Sequence, residues 1–385
     1  MVSRTEGSTC SPPSFVQPKE CCALAVAALD RHVSIPIQGS LTQATVFRTL
    51  VGMAAMQQSV HSIARVLERS PCETSLRHHL AKLSMDELEA VNTAILGHAI
   101  SAVLTSGRAY TFAIDYTNDP YYGTVVPDNE GYVIRSRLKK STNDFYSYVT
   151  VSAITPHRQV TLAAYPVTKG TSKVAYIARC LDAIAEAGLR IQALCLDREF
   201  HARKVIGFLK TVRVPFILPV RKHSRAMKKL LNGTQSRFGD YIMRGKTPLN
   251  LTIAIAVTYA KGKREKHGVE NLGYVVNDVP WSPRKIHETY RSRFGIESSY
   301  RMRNQVKPKT STRNPVIRYL FAIISFLLKN LWMVVLWTRF SPVKPGPRTI
   351  EMRAFRFGQF RLMIWESVRS TLKIVRTVPA FRKPG

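Results

Sequence analysis

Acidic residues are scarce in this chain beside its basic ones. Against 57 lysines and arginines stand 25 aspartates and glutamates, a formal net charge of +32. Such an excess repels itself in the folded state, and a polyanion relieves it. Nucleic acid is therefore the leading class of partner, with an anionic membrane surface second. Cysteine is sparse too. Cys10, Cys21, Cys22, Cys72, Cys180 and Cys195 include no CxxC pair, which speaks against a structural zinc site. Cys180 and Cys195 lie in apolar stretches and read as buried small residues, which suits a reducing cytosol; a cytoplasmic, nucleoid-associated location is expected. The opening MVSRTEGSTCSPPSF lacks the apolar core of a signal peptide, so residues 1–39 are read as a disordered or irregular lead. A long unbroken apolar run is missing as well. YLFAIISFLLKNLWMVVLWTRF, from Tyr319 to Phe340, comes closest, but Lys329 divides it. Each piece is short of the ~20 apolar residues that a membrane span needs. It is read as a buried core helix, with a membrane anchor as the competing reading. No membrane partner is expected.

What is present points to a globular chain of two or three domains: 385 residues, 45% of them hydrophobic. Residues 40–106 read as helices. SVHSIARVLERSP is apolar at Ile63, Val66 and Leu67, and CETSLRHHLAKLS at Leu76, Leu80 and Leu83. Both spacings are helical, with a Ser-Pro break between them. A helix-turn-helix would offer Arg77, His78, His79 and Lys82 to DNA. A small bundle that only packs or dimerises is the other reading.

After Gly107 the pattern turns to strands: AYTFAIDYT, DFYSYVTVSAIT and QVTLAAYPV. The helix SKVAYIARCLDAIAEAG, the strand RIQALCLD, the helix ARKVIGFLKTV and the strand VPFILPV follow. Three hairpin-like strands and then alternating units predict an α/β fold, a mixed sheet covered by helices, over 107–340. Residues 221–280 interrupt the alternation. The basic run RKHSRAMKKL leads into a β-rich insertion with the charged tip KGKREKHG. A helix is predicted next, with Ser282 as N-cap, Pro283 at its first position and Pro308 as its latest end. Residues 341–385 form a basic extension with interspersed Phe355, Phe357, Phe360 and Trp365. It is read either as a segment that orders on DNA or as a helix packed on the core.

The carboxylates carry the chemistry. Asp115 is expected at the end of the strand TFAID, and Asp197 at the end of ALCLD. Functional groups gather where strands end in such sheets, so the two can meet if their strands are neighbours. Asp119 and Glu199 compete for the same roles. Glu297 is the candidate third acid, from YRSRFGIESSYRMRNQ. At about 100° per helical residue, Tyr290, Arg293, Glu297, Arg301 and Asn304 share one face, on which Tyr290 and the two arginines would meet the DNA backbone while Glu297 holds metal. Three such acids suit Mg²⁺ or Mn²⁺, two ions in all, with phosphate completing the shell. An ordinary ion pair with Arg293 or Arg301 is the competing reading of Glu297, and packing that of Tyr290.

AIDYTNDPYYG, CLDREFHARKVI and YRSRFGIESSYRMRNQ together resemble the three acidic blocks of DDE transposases from prokaryotic insertion sequences. The last block resembles the Y-(2)-R-(3)-E-(6)-K motif of one large branch. Tyr290, Arg293 and Glu297 match by type and spacing. Asn304 stands where the motif has Lys; Lys307 and Arg301 are candidates to supply that charge. The resemblance spans roughly Thr111 to Leu331. It implies a ribonuclease H-like core with a β-rich insertion before the Glu helix, and Asp115, Asp197 and Glu297 as metal ligands. It also implies metal-dependent cleavage at element ends and strand transfer into target double-stranded DNA, by a chain that dimerises on that DNA. A nuclease of the same fold that never joins DNA, and an inactive DNA-binding relative, are the alternatives.

Overall fold

A computed structural model describes residues 15–155, 158–222, 224–245, 248–261, 267–341 and 348–377. Among the described residues five helices come first: α1 (Pro18–His32), α2 (Gln43–Ala55), α3 (Val60–Val66), α4 (Glu73–Leu80) and α5 (Met85–Gly97). Short polar side chains start three of them. The Thr42 hydroxyl accepts from the Thr45 amide and that of Ser59 from the Ser62 amide, while Ser84 and Glu87 form a capping box. The irregular lead expected through residue 39 thus contains a helix. Cys21, Cys22, Ala25, Ala28 and Leu29 give α1 a buried stripe of small and apolar side chains, which packs on α2 and on α13 (Phe357–Leu372).

Among the described residues the sheet has nine strands: β1 (Ala109–Pro120), β2 (Val133–Lys139), β3 (Thr142–Thr155), β4 (Arg158–Pro166), β5 (Arg190–Leu196), β6 (Phe216–Pro219), β7 (Arg237–Met243), β8 (Leu249–Lys261) and β9 (His267–Asn277). Its order is β2-β3-β1-β5-β6-β9-β8-β7, with β4 also pairing β3. The pairs β3–β4, β1–β3 and β2–β3 are antiparallel; β1–β5 and β5–β6 are parallel. That is the mixed core expected of a ribonuclease H-like fold. The parallel pairs need crossovers, and α7 (Lys173–Glu186) and α8 (Arg203–Thr211) supply them. A single turn, α6 (Pro127–Glu130), precedes β2.

The insertion is more extensive than its pattern suggested. The basic run becomes α9 (Arg225–Leu231), and β7 precedes the two expected strands. β9 then pairs antiparallel with β6, so the insertion extends the same sheet. Most of its charged tip, residues 262–266, lies outside the described residues.

The helix expected from Pro283 onward is two helices, α10 (Pro283–Ser292) and α11 (Gly295–Arg303). Between them the backbone tightens. The amides of Arg293, Phe294, Ile296 and Glu297 each bond the carbonyl three residues back, the pattern of a 3₁₀ turn. The 100° rule therefore fails across this junction. α12 (Pro315–Arg339) follows. It is long and apolar enough to cross a membrane by length and composition, yet its apolar window is wholly buried. It packs on β4, α5 and α11. Lys329 donates to the Gln159 carbonyl; burial alone pushes its pKa down to about 7. In the basic extension, α13 buries Phe360, Ile364, Val368 and Leu372. Residues 342–347 and 378–385 of that extension lie outside the described residues.

Candidate active site

Side chains alternate across a strand, and this places the aspartates. Ala113 on β1 and Ala193 and Cys195 on β5 belong to a second apolar cluster with Ile286, Tyr290 and Ile296 of α10 and α11. Asp115 and Asp197 come two residues after Ala113 and Cys195. Both therefore point toward the face that α10 and α11 cover. The small side chains there let those helices lie close to the sheet. Register completes the placement: Ile114 pairs with Leu196 as the last step of the parallel ladder, and an aspartate follows each.

Asp115 does not end its strand, as the pattern of TFAID suggested. β1 continues to Pro120, because β3 goes on pairing with it through Phe145. Asp115 instead marks where β1 loses β5 and keeps β3. Asp197 does end its strand. It caps a 3₁₀ turn, accepting from the Glu199 amide at 3.3 Å.

A cavity of about 550 Å³ opens over these residues. Asp115, Asp197 and Glu297 all line it, with Glu199 as a fourth acid and Arg135, Lys139, Lys173 and Arg293 as cations. The side chain of Arg293 sits between the two aspartates. Nη1 is 2.8 Å from Oδ2 of Asp115, and Nη2 is 3.3 Å from Oδ1 of Asp197. The guanidinium side chain is only 6% exposed. Asp115 is raised to about 6, the balance of burial, which pushes it up most, of Arg293 and the Tyr116 amide, which pull it down, and of Asp197 and Glu297, which push it up. Burial works against the charge on Arg293, but Tyr290, Asp115 and Asp197 outweigh it and hold its pKa above the ordinary value.

Glu297 lies in the first turn of α11 and is exposed. Among the described residues it forms neither hydrogen bond nor ion pair through its side chain. The competing reading of an ion pair with Arg293 or Arg301 is thus not realised. Tyr300, one turn along α11, bonds the Thr150 hydroxyl at 2.6 Å. Thr150 is the β3 partner of Asp115, so this bond ties the helix bearing Glu297 to the strand beside Asp115.

The other candidates fall in several places. Tyr290 is buried against Tyr274, with ring centroids 5.1 Å apart. Arg293 is buried among carboxylates and does not present a free cation to solvent. Arg301 is exposed and donates to Ser298. Asn304 enters a 3₁₀ turn, Asn304–Val306, whose carbonyl at Asn304 accepts from Gln57. Lys307 pairs with Asp119 at 3.1 Å. Asp119, the rival acid, also takes two 2.8 Å bonds from Arg303, whose side chain is fully buried. Burial opposes the Asp119 charge, but Arg303 and then Lys307 hold its carboxyl well below the usual range. Arg77 pairs with Glu73, Lys82 donates to the Pro36 carbonyl, and His79 is buried.

Sequence reasoning missed Arg303 as the Asp119 partner; no periodicity marks it. It missed Lys173 as well. This residue opens α7, and its ammonium donates to the Glu199 carbonyl and lies over the rings of Phe200 and Tyr116. Lys139, paired with Thr142 where β2 turns into β3, also lines the cavity.

Among the described residues, no three His, Cys, Asp or Glu side chains converge closely enough to hold a metal ion. The donor set nevertheless fits a hard divalent cation in kind: carboxylate oxygens at one cavity, two of them already bridged by a cation.

A family model described as the transposase DDE domain matches residues 107–331. The fold is similar to that of a piggyBac transposase seen by cryo-EM in a synaptic complex with hairpin DNA, with a TM-score of 0.55 at 11% identity. That likeness covers 94% of this chain and 83% of the other. A search of curated proteins returns no match.

Proposed function

Because the chain belongs to the transposase DDE domain family, we propose that this DNA transposase cuts phosphodiesters at the ends of its element and joins the freed ends to target DNA. The observation that carries the reading is the shared cavity of Asp115, Asp197 and Glu297, assembled from two neighbouring strands and the helix laid across them. Asp115, Asp197 and Glu297 would hold Mg²⁺ or Mn²⁺. Bound there, such ions supply the charge that activates a water or a 3′-hydroxyl and stabilises the leaving oxygen.

The remaining work falls to the protein's own groups. Asp115 and Asp197 stand on the sheet, which fixes their spacing against α10 and α11. Arg135, Lys139 and Lys173 give the cavity a cationic wall, suited to a phosphodiester on either side of the reacting bond. Positioning and electrostatics dominate, since phosphoryl transfer asks little covalent chemistry of the protein. The net charge of +32 supports a long duplex contact with a steep salt dependence. Two ends must meet before they can be joined, so the chain acts as a dimer on DNA. The insertion-sequence branch with its tyrosine-arginine-glutamate motif is part of this proposal, with Asn304 in place of the motif's lysine.

A joining assay tests it. Pre-cut element ends with free 3′-hydroxyls, taken from the repeats flanking the reading frame, are incubated with the protein, Mg²⁺ and a supercoiled plasmid. End insertion into the plasmid is expected. Cleavage without any joining would identify a nuclease instead.

A further inference from the structure

We propose that Arg293 is a resident counter-ion, which holds the two aspartates together before metal arrives and must be displaced for metal to bind. The inference rests on the carboxylates being metal ligands and concerns how they are kept ready.

Three observations carry it. First, the Arg293 guanidinium donates to both Asp115 and Asp197, at 2.8 and 3.3 Å. One planar fork spans the gap where a shared ion would sit, a geometry suited to guanidinium and not to ammonium. Second, the side chain is buried yet incompletely satisfied. Among the described residues its Nε is a buried donor with no hydrogen-bond partner, although natively buried donors are nearly always paired. The side chain is therefore placed for its two carboxylate contacts at the expense of its third donor. Third, Arg293 sits at the tightened junction between α10 and α11, four residues before Glu297. Gly295 follows in that turn, and a Cβ there would lie 1.6 Å from the Gln159 amide nitrogen. The junction is thus packed against β4, and it fixes where Arg293 leaves the backbone.

The consequence is competition. A cation entering between Asp115 and Asp197 must replace two charge-assisted hydrogen bonds, and that replacement subtracts from its affinity. Once released, the guanidinium is a cation tethered beside the site. The anion available to it is the phosphodiester that approaches with the metal. Charge in the cavity is then balanced in both states: by Arg293 on the aspartates alone, and by metal on the aspartates with Arg293 on phosphate.

The test is Mn²⁺ binding to the full-length chain without DNA, read by electron paramagnetic resonance or calorimetry. Arg293→Gln is expected to bind Mn²⁺ about tenfold more tightly than the unaltered protein, since two charge-assisted bonds no longer compete. A merely structural role predicts the opposite, because a loosened site binds metal less well. Arg293→Lys keeps the charge with a single reachable bond and should tighten binding by a smaller factor; it serves if the glutamine variant fails to fold. Unchanged or weaker affinity in the folded variants overturns the proposal while leaving the metal site intact. If neither the unaltered protein nor any Arg293 variant binds Mn²⁺, and Asp115→Asn changes nothing, the metal reading falls along with it.

Discussion

Ile114 on β1 and Leu196 on β5 are partners in parallel register, and the residue after each is an aspartate. A shift of one residue in either strand would turn one carboxylate to the opposite face of the sheet. The ladder that ends at this pair is thus what makes Asp115 and Asp197 neighbours, 82 positions apart in sequence though they are.

The three carboxylates should be separately essential. Asp115→Asn, Asp197→Asn and Glu297→Gln are each expected to lower DNA cleavage at least about a hundredfold, the order seen when one group serving transition-state charge is removed. Cleavage rates on labelled element ends measure this, with thermal melting as the check on folding. Wild-type cleavage by any one of the three variants would remove that residue from the site.

Asp119 should behave differently. It neutralises Arg303, which is fully buried and also bonds Ser325. Asp119→Asn leaves a buried cation half-paired, and stability should fall by about 3–5 kcal/mol. Urea unfolding reads the loss. Mn²⁺ affinity of the protein that remains folded should match the unaltered chain, because Asp119 lines a different cavity from the one that Asp115, Asp197 and Glu297 share.

Lys329 gives stability a pH dependence with a definite sign. In the folded chain burial lowers its pKa to about 7 from the ordinary 10.5. Between those values the unfolded chain holds the extra proton, so stability rises with pH across that window and is lowest below pH 7. Lys329→Met removes this slope. The variant's advantage, about 1–4 kcal/mol by analogy with other buried charges replaced by apolar groups, should be greatest at pH 6 and shrink toward pH 10. Denaturant midpoints at the two pH values decide it, and an advantage independent of pH would count against a charged Lys329 at low pH.

Gly52 tests whether the basic extension is part of the core. A Cβ on Gly52 would stand 2.7 Å from Cγ1 of Val368 on α13, and a branched buried side chain has little freedom to retreat. Gly52→Ala should cost about 1–3 kcal/mol through overpacking. Adding Val368→Ala should recover part of that loss, and a double-mutant cycle gives the coupling. Strictly additive effects would mean that α2 and α13 do not meet there.

Much of this molecule was legible in its sequence, and the failures have physical causes. β1, β3, β4, β5, β6 and α7 announce themselves by length and periodicity. β2 does not. Most of VIRSRLK is exposed, so it carries no apolar alternation to detect. The α10–α11 junction was hidden because its residues keep helical dihedrals, and only the hydrogen-bond span changes. The three carboxylates were picked out by the strands that precede two of them and by the resemblance of their blocks, and all three line one cavity. Their neighbours could not be chosen. Arg293 between the aspartates, and Arg303 beneath Asp119, follow from which side of a helix meets the sheet, and that side is set by packing far from either residue.

β6 is bonded to β5 along one edge and to β9 along the other. The inserted strands and the strands bearing the aspartates are consequently leaves of one continuous hydrogen-bonded ribbon. For the insertion to swing as a lid, the four residue pairs joining β6 to β9 would have to separate. Adjustment over the cavity falls instead to the side chains that line it and to α10 and α11 laid across it, while the ribbon beneath acts as a fixed anvil.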